Sequence, residues 1–473
     1  MSIKPVVFVP GFPATELIQA SKNRRIFPPD PGDLLDGGKK EKLIRLLSGP
    51  DNPPGDIVAG DPIRDVLGIS KQAESLYDLL RDYGYTAHSG DNFAAVGWDW
   101  RLAVDDIRVQ TALIAAVDRL SRAHNSKVVV ICHSTGGLVV RRLLEMRPDV
   151  ADQIEQIFAF GVPWAGTLKA VRYLGRGESF GFLFAKLSAS EVREIMSHCQ
   201  AAYDLFPPDP AKTDMRDLTG QDLNLFVDAE LPRGQQQVGP LVDLRWVPKS
   251  SGKDYMRQMA NLADSRLGRR PNQIRLPNTP TPPITNVVGW GAATDTTCEM
   301  DAKGRLTFLE TKEGDGTVPA VSASWLRGPD VRTFFLPIGL YPTAGIPNRH
   351  SRIWDSPPVL ELFDQVLRSK APEPWVCACV DGDQGIDPSG PVTLRLVAAD
   401  DQGRPLPNAR GNFVGLPQRV AFSFSGAART SLILRRGQFR PNVGRNLFRF
   451  IVEIIWDTGS GPRTREIPIL IHV

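Results

Sequence analysis

An α/β fold with insertions, followed by an all-β module, is predicted by three observations. Short β-branched runs alternate with amphipathic helical stretches from residue 5 to about residue 165. One of these runs, Val128-Val129-Val130-Ile131, feeds a tight small-residue segment, Cys132-His133-Ser134-Thr135-Gly136-Gly137, and then a helix carrying Leu138, Leu143 and Leu144. Past Ala371-Pro372-Glu373-Pro374 the apolar period changes to two.

The first strand is Val6-Val7-Phe8-Val9, ended by Pro10-Gly11. A helix is expected near 70–83, where Leu76, Leu79, Leu80 and Tyr83 share one face. A strand at Phe93-Ala94-Ala95-Val96 precedes a long helix over 105–124, whose buried stripe is Leu113, Ile114, Val117 and Leu120. The strand before Ser134 follows, and Gln156-Ile157-Phe158-Ala159-Phe160 supplies another, ending in Gly161-Val162-Pro163-Trp164. The rhythm returns at Ile284-Thr285-Asn286-Val287-Val288 and at Val331-Arg332-Thr333-Phe334-Phe335, then closes with a helix over 357–368 that Ser356 caps and Pro357 starts.

Residues 20–66 and 167–283 break this pattern. The first is rich in Pro, Gly and charge, and the second mixes helical pieces with Pro-rich stretches, so both read as insertions of the lid, cap or binding-loop kind. Within the second, Phe180-Gly181-Phe182-Leu183-Phe184 is a dense apolar patch. It reads either as core over the sheet or as a lid that meets acyl chains or a lipid surface. In the C-terminal part, Val392/Leu394/Leu396, Val420/Phe422/Phe424 and Ile467/Ile469/Ile471 alternate with polar or small residues. That pattern predicts a β-sandwich domain over 375–473, separate from an α/β domain over 1–370.

Bulk properties narrow the function classes. The 473 residues include 56 basic and 53 acidic side chains, a formal charge of +3, and the basic residues are spread along the chain. Nucleic acid is therefore not an expected partner. Five cysteines at 132, 199, 298, 377 and 379 have neither zinc-site spacing nor the density of a disulfide framework, which fits a reducing compartment. The N-terminal apolar run of four residues reads as a core strand rather than a secretory segment, so the protein is expected to be cytoplasmic. No apolar run approaches the roughly 20 residues of a bilayer span, leaving peripheral membrane contact as the expected mode.

The strand-turn-helix around Ser134 has the form of a nucleophile elbow. A serine hydroxyl is a weak nucleophile, so it must stand clear of the sheet where a histidine can take its proton and backbone N–H groups can hold an oxyanion. Cys132 occupies the place where the common G-x-S-x-G pattern has glycine. In an α/β-hydrolase sheet the acid and the histidine follow the nucleophile in chain order. Of the six histidines, His88 and His124 precede Ser134, His133 adjoins it, and His472 lies in the last strand. His198 falls inside the cap, which leaves His350, in Pro347-Asn348-Arg349-His350-Ser351, as the candidate base. Asp315, in Gly314-Asp315-Gly316-Thr317-Val318-Pro319, is the candidate acid, with Asp295 and Asp301 as rivals. The oxyanion donors would be the N–H groups of Thr135 and Phe12. This chemistry requires neither a metal nor another cofactor.

The set Val-Pro-Gly (9–11), Trp-Asp-Trp-Arg (98–101), His-Ser-Thr-Gly-Gly (133–137), Gly-Val-Pro-Trp-Ala-Gly (161–166), Gly-Asp-Gly-Thr-Val-Pro (314–319) and Arg-His-Ser (349–351) resembles the lecithin:cholesterol acyltransferase-like family, which includes lysosomal phospholipase A and phospholipid:diacylglycerol acyltransferases. The likeness covers about residues 5–370. It implies an α/β-hydrolase fold with cap insertions, to which composition and periodicity add a C-terminal Ig-like sandwich. It also implies a Ser134-Asp315-His350 triad acting on acyl esters of lipids through an acyl-enzyme. Asp99 and Arg101 would make structural contacts near the core, and Trp164 would line the substrate pocket, with core packing an equal reading for Trp164 and Trp98. Phe182 and Phe184 are assigned to the pocket from the apolar cap patch itself, not from the resemblance. Three alternatives stay open on sequence: a soluble-ester esterase, a catalytically idle scaffold whose sandwich binds a partner, and a lipase regulated through that sandwich.

Overall fold

The computed structural model describes residues 4–48, 55–66, 70–71, 73–86, 92–178, 187–205, 226–227, 282–290, 292–300, 306–311, 314–326, 331–338, 350–355, 359, 363, 375–381, 392–399, 408–414, 420–423, 429–434 and 447–472. Six strands form the central sheet: β1 (Val6–Val9), β2 (Phe93–Ala95), β3 (Val128–His133), β4 (Ile154–Phe160), β5 (Ile284–Trp290) and β6 (Val331–Pro337). Their spatial order is β6-β5-β4-β3-β1-β2, and every pairing is parallel. The chain thus steps from β1 outward to β2, then crosses back to β3 and grows the opposite way. That reversal opens a crevice at the carboxyl ends of β1 and β3, where Gly11 and Ser134 lie.

The β-branched runs form strands that are buried on both faces, as a doubly covered parallel sheet requires. Val7, Val9, Val130 and Cys132 face one apolar layer, whereas Val6, Phe8, Val129 and Ile131 face the other. The first layer is closed by Leu113, Val117 and Leu120 of α2 (Ile107–His124) and by Leu143 and Leu144 of α3 (Thr135–Met146). Leu76, Tyr77 and Leu80 of α1 (Glu74–Asp82) cover the second, with Trp354 and Phe363. Each such side chain, fully buried, contributes about 1.5–3 kcal/mol over exposure. Ile114 of the expected α2 stripe is only partly buried, at the margin of that layer.

Two expectations are corrected. The segment 20–66 is not irregular: Thr15–Gln19, Arg24–Phe27 and Ile57–Pro62 form a small antiparallel sheet, accompanied by helices Pro31–Leu35 and Gly37–Ser48. Its strands are only four to six residues long, and Ile57–Pro62 is interrupted by Gly60 and ended by Pro62, so no sustained period betrays them. Residues 70 and 71, expected to open α1, instead pair antiparallel with 65 and 66. The expected helix over 357–368 is represented by Val359 and Phe363, both buried, and its other residues lie outside those described.

The C-terminal strands form two antiparallel sheets. One contains Trp375–Asp381, Val392–Ala399 and Arg429–Leu434; the other contains Val420–Ser423, Arg410–Val414, Leu447–Thr458 and Gly461–His472. Among the described residues, no helix is long and apolar enough to cross a membrane.

Candidate active site

Ser134 sits between β3 and α3 with φ +52° and ψ −130°, a backbone conformation that non-glycine residues rarely adopt. Two hydrogen bonds hold it there: its N–H donates to the Phe160 carbonyl at 2.9 Å, and its carbonyl accepts from Gly137 N–H at 3.0 Å. The strain is sustained by close packing of the helix start against β1. A Cβ on Gly136 would stand 2.6 Å from the Pro10 carbonyl oxygen, so only glycine permits this approach.

His350 and Asp315 meet beside this turn. His350 Nδ1–H donates to Asp315 Oδ2 at 2.6 Å, and His350 N–H donates to the Asp315 carbonyl at 3.0 Å. The other carboxylate oxygen, Oδ1, accepts from Val318 N–H at 2.7 Å and Thr317 N–H at 3.0 Å. Asp315 is fully buried, and His350 is 8% exposed. A carboxylate bonded in this way fixes the imidazole with its proton on Nδ1, leaving Nε2 as the basic nitrogen. Nε2 is buried and has no hydrogen-bond partner among the described residues. A buried polar atom without a partner costs about 1–3 kcal/mol, a cost that persists at sites awaiting a reacting group.

Gly161 lies under this pair. It ends β4 with φ +54°, and a Cβ there would come within 2.8 Å of Asp315 Oδ2 and 2.9 Å of His350 Nδ1. The motif containing Gly161 was legible in sequence, but its role as the floor of the acid-base pair appears only when β4 and the two later loops converge.

Asp295, the rival acid, is committed elsewhere. Its carboxylate takes a bidentate bond from Arg172, Nε at 2.5 Å and Nη2 at 2.6 Å, at the base of the cap helix Leu168–Arg176. Arg172 also stacks over Phe308 of the hairpin 294–311, its guanidinium carbon 4.4 Å from the ring centroid. Asp301 lies outside the described residues. His198, the rival base, donates from Nδ1–H to the Glu194 carbonyl at 2.8 Å within its own helix, Ala189–His198.

Thr135 is buried directly after Ser134, and its Oγ1 has no hydrogen-bond partner among the described residues. Phe12 follows β1, its ring edge-on to Trp100 at 5.5 Å. Trp164 is 3% exposed, and its indole N–H donates to Asn286 Oδ1 at 3.1 Å, which places it in the packed region between β4 and β5. Phe182 and Phe184 lie outside the described residues. Asp99 and Arg101 form a buried bidentate pair, 2.6 Å at its shortest, and Arg101 Nη1 reaches the Leu46 carbonyl. The backbone carbonyl of Arg101 accepts from Gln200 N–H at 2.7 Å, tying this segment to the cap. Cys132 is buried, its thiol pushed up by burial, and Sγ–H contacts the Phe158 carbonyl at 3.4 Å.

Comparison with known proteins agrees with the resemblance. Residues 66–234 match the family model for lecithin:cholesterol acyltransferase, a span that includes Ser134 and ends before Asp315 and His350. A phosphatidylcholine-sterol acyltransferase of Rattus norvegicus is 26% identical over 172 residues, 34% of this chain and 39% of that protein. The Mus musculus protein of the same name is 28% identical over 131 residues, 27% of this chain and 30% of its own length. The chain therefore aligns with well under half of these relatives. Among solved structures, the Tle4-Tli4 complex superposes with a TM-score of 0.46 at 13% identity, covering 78% of this chain and 98% of that one. That superposition is loose, and the fold stands on the strand order and parallel register of the chain itself.

Proposed function

We propose, from the premise that this chain is lecithin:cholesterol acyltransferase-like, that it is a serine esterase acting on acyl esters of lipids. The observation that carries the reading is the buried His350, held by Asp315 through Nδ1 while Nε2 lacks a partner, beside the strained turn of Ser134.

In this reading His350 Nε2 takes the Ser134 hydroxyl proton as Oγ attacks the acyl carbonyl carbon. Asp315 keeps the imidazole in the required tautomer and stabilises the imidazolium that forms. The tetrahedral oxyanion is held by the N–H groups of Thr135 and Phe12. Collapse breaks the ester C–O bond, and the leaving alcohol receives the proton from His350, leaving acyl-Ser134. Water, or a second alcohol, then attacks with His350 again as base. The acyl group leaves as a fatty acid or as a new ester. Trp164, Phe182 and Phe184 are assigned to the acyl pocket. The two C-terminal sheets are assigned to an Ig-like accessory domain over 375–473, joined to the hydrolase domain over 1–370. A cytoplasmic location with peripheral membrane contact completes the reading.

The test is labelling by a fluorophosphonate probe, comparing wild type with Ser134→Ala and His350→Ala, followed by fatty-acid release from mixed phospholipid vesicles. Labelling lost in both variants, together with acyl release, is the expected result. Labelling without release from vesicles would redirect the substrate to a soluble ester, and a folded wild type that does not label would overturn the reading.

A further inference from the structure

We infer that His133 is a positioning residue that locks the base loop to the nucleophile strand. The inference rests on the esterase reading of Ser134 and His350 and adds a role to a side chain that takes no part in the proton transfers.

His133 is the last residue of β3, immediately before Ser134, and its side chain is buried. Its Nε2 lies 2.9 Å from the backbone carbonyl oxygen of His350. A carbonyl can only accept, so Nε2 carries the hydrogen and Nδ1 is bare. Burial, and His350 beside it, hold the imidazole well below its usual range, which keeps the ring in this neutral form. The two histidine rings lie 4.6 Å apart at 38°, and Trp354 meets His133 edge-on at 4.7 Å. Trp354 is itself anchored, its indole N–H donating to Ser75 Oγ at 3.1 Å. On its opposite side His133 borders the turn after β1, where a Cβ on Gly11 would come within 3.3 Å of Nδ1. One ring therefore bonds the His350 carbonyl and borders the turn after β1 while belonging to the residue joined to Ser134.

Such a tie is needed because the base is loop-borne. His350 opens the short turn His350–Asp355, more than 200 residues beyond Ser134 in the chain, whereas Ser134 is fixed by the sheet. Asp315 sets the ring's rotation and the Asp315 carbonyl holds the His350 N–H. The His350 carbonyl, the remaining backbone polar group of that residue, is held by His133. An error of about 1 Å in such a placement costs roughly 100-fold in rate.

The experiment compares wild type, His133→Phe and His133→Gln for hydrolysis of a 4-nitrophenyl ester, for the rate of fluorophosphonate labelling, and for Tm. Phe keeps the ring packing and removes the donor, whereas Gln places an N–H near the position of Nε2. The expected result is that His133→Phe lowers kcat and the labelling rate about 10- to 100-fold with KM within about two-fold, and that His133→Gln restores most of the loss. Wild-type kcat in His133→Phe, or equal losses in the two variants, would overturn the role. If His133→Phe does not fold, ring-nitrogen NMR of the wild type at pH 7 decides: the Nε2–H tautomer supports the inference, and an Nδ1–H or doubly protonated ring overturns it. Wild type that lacks Ser134-dependent labelling would overturn the underlying esterase reading, an outcome distinct from a loss confined to the His133 variants.

Discussion

Asp315 binds His350 twice, by carboxylate to ring and by carbonyl to backbone N–H, so one residue sets both the tautomer and the position of the imidazole. The two contacts separate under mutation. Asp315→Asn keeps the backbone contact and removes the charge that favours the imidazolium. Labelling by a fluorophosphonate should then slow by about 10²- to 10⁴-fold with little change in fold, checked by circular dichroism alongside the labelling rate.

Gly161→Ala tests the floor of that pair. A methyl group there meets Asp315 Oδ2 and His350 Nδ1 at 2.8 and 2.9 Å, on a backbone with φ +54° that alanine adopts at a cost of about 1–2 kcal/mol. Ester hydrolysis should fall by more than about ten-fold and Tm should drop, whereas an active, equally stable variant would refute the packing described.

Arg172 should matter for stability rather than for chemistry. The Asp295 side chain is 1% exposed and takes both of its short ion-pair contacts from Arg172, so Arg172→Met leaves a buried charge that Lys169, at 4.0 Å, compensates poorly. Loss of one partner of a buried pair typically costs about 3–5 kcal/mol. Denaturant unfolding should show a decrease of that order, and the double variant Arg172→Met with Asp295→Leu should recover part of it.

A pH effect is expected from Tyr77 and Tyr85. Burial pushes both hydroxyls up to about 12, against an ordinary value of 10; for Tyr77 the Arg64 guanidinium acts in the opposite direction without cancelling the shift. Between pH 10 and pH 12 the unfolded chain has released these protons while the folded chain retains them. Stability is therefore unaffected by these groups below pH 10 and falls as pH rises through that window. Ultraviolet titration should show Tyr77 and Tyr85 among the late-ionising tyrosines, with Tyr173, which burial also pushes up, and Tyr77→Phe with Tyr85→Phe should flatten the alkaline stability loss.

Much of the central sheet was legible because its signals are local. A β-branched run such as Val128-Val129-Val130-Ile131 specifies a strand wherever it is buried on both faces, and Leu113, Val117 and Leu120 specify a helical face by spacing alone. The strand-turn-helix context marks Ser134, chain order and a short supply of histidines single out His350, and Asp315 stands as a candidate beside Asp295 and Asp301. The small sheet built by Thr15–Gln19, Arg24–Phe27 and Ile57–Pro62 has no local signature because its strands are short and one of its two pairings joins Thr15–Gln19 to a strand that follows only after a helical stretch.

By itself the sequence determined the α/β order of strands and helices, the two-residue period of the C-terminal strands, and which residue types were present for acyl chemistry. Only the tertiary structure decided which carboxylate meets His350, because Asp295 and Asp315 differ not in kind but in neighbours: Arg172 holds one, and His350 holds the other. It also decided that His133, silent in sequence beside Ser134, reaches the His350 carbonyl across more than 200 residues of chain. Contacts of that kind are set by the convergence of β1, β3, β4 and the later loops at one end of the sheet, and no local period encodes them.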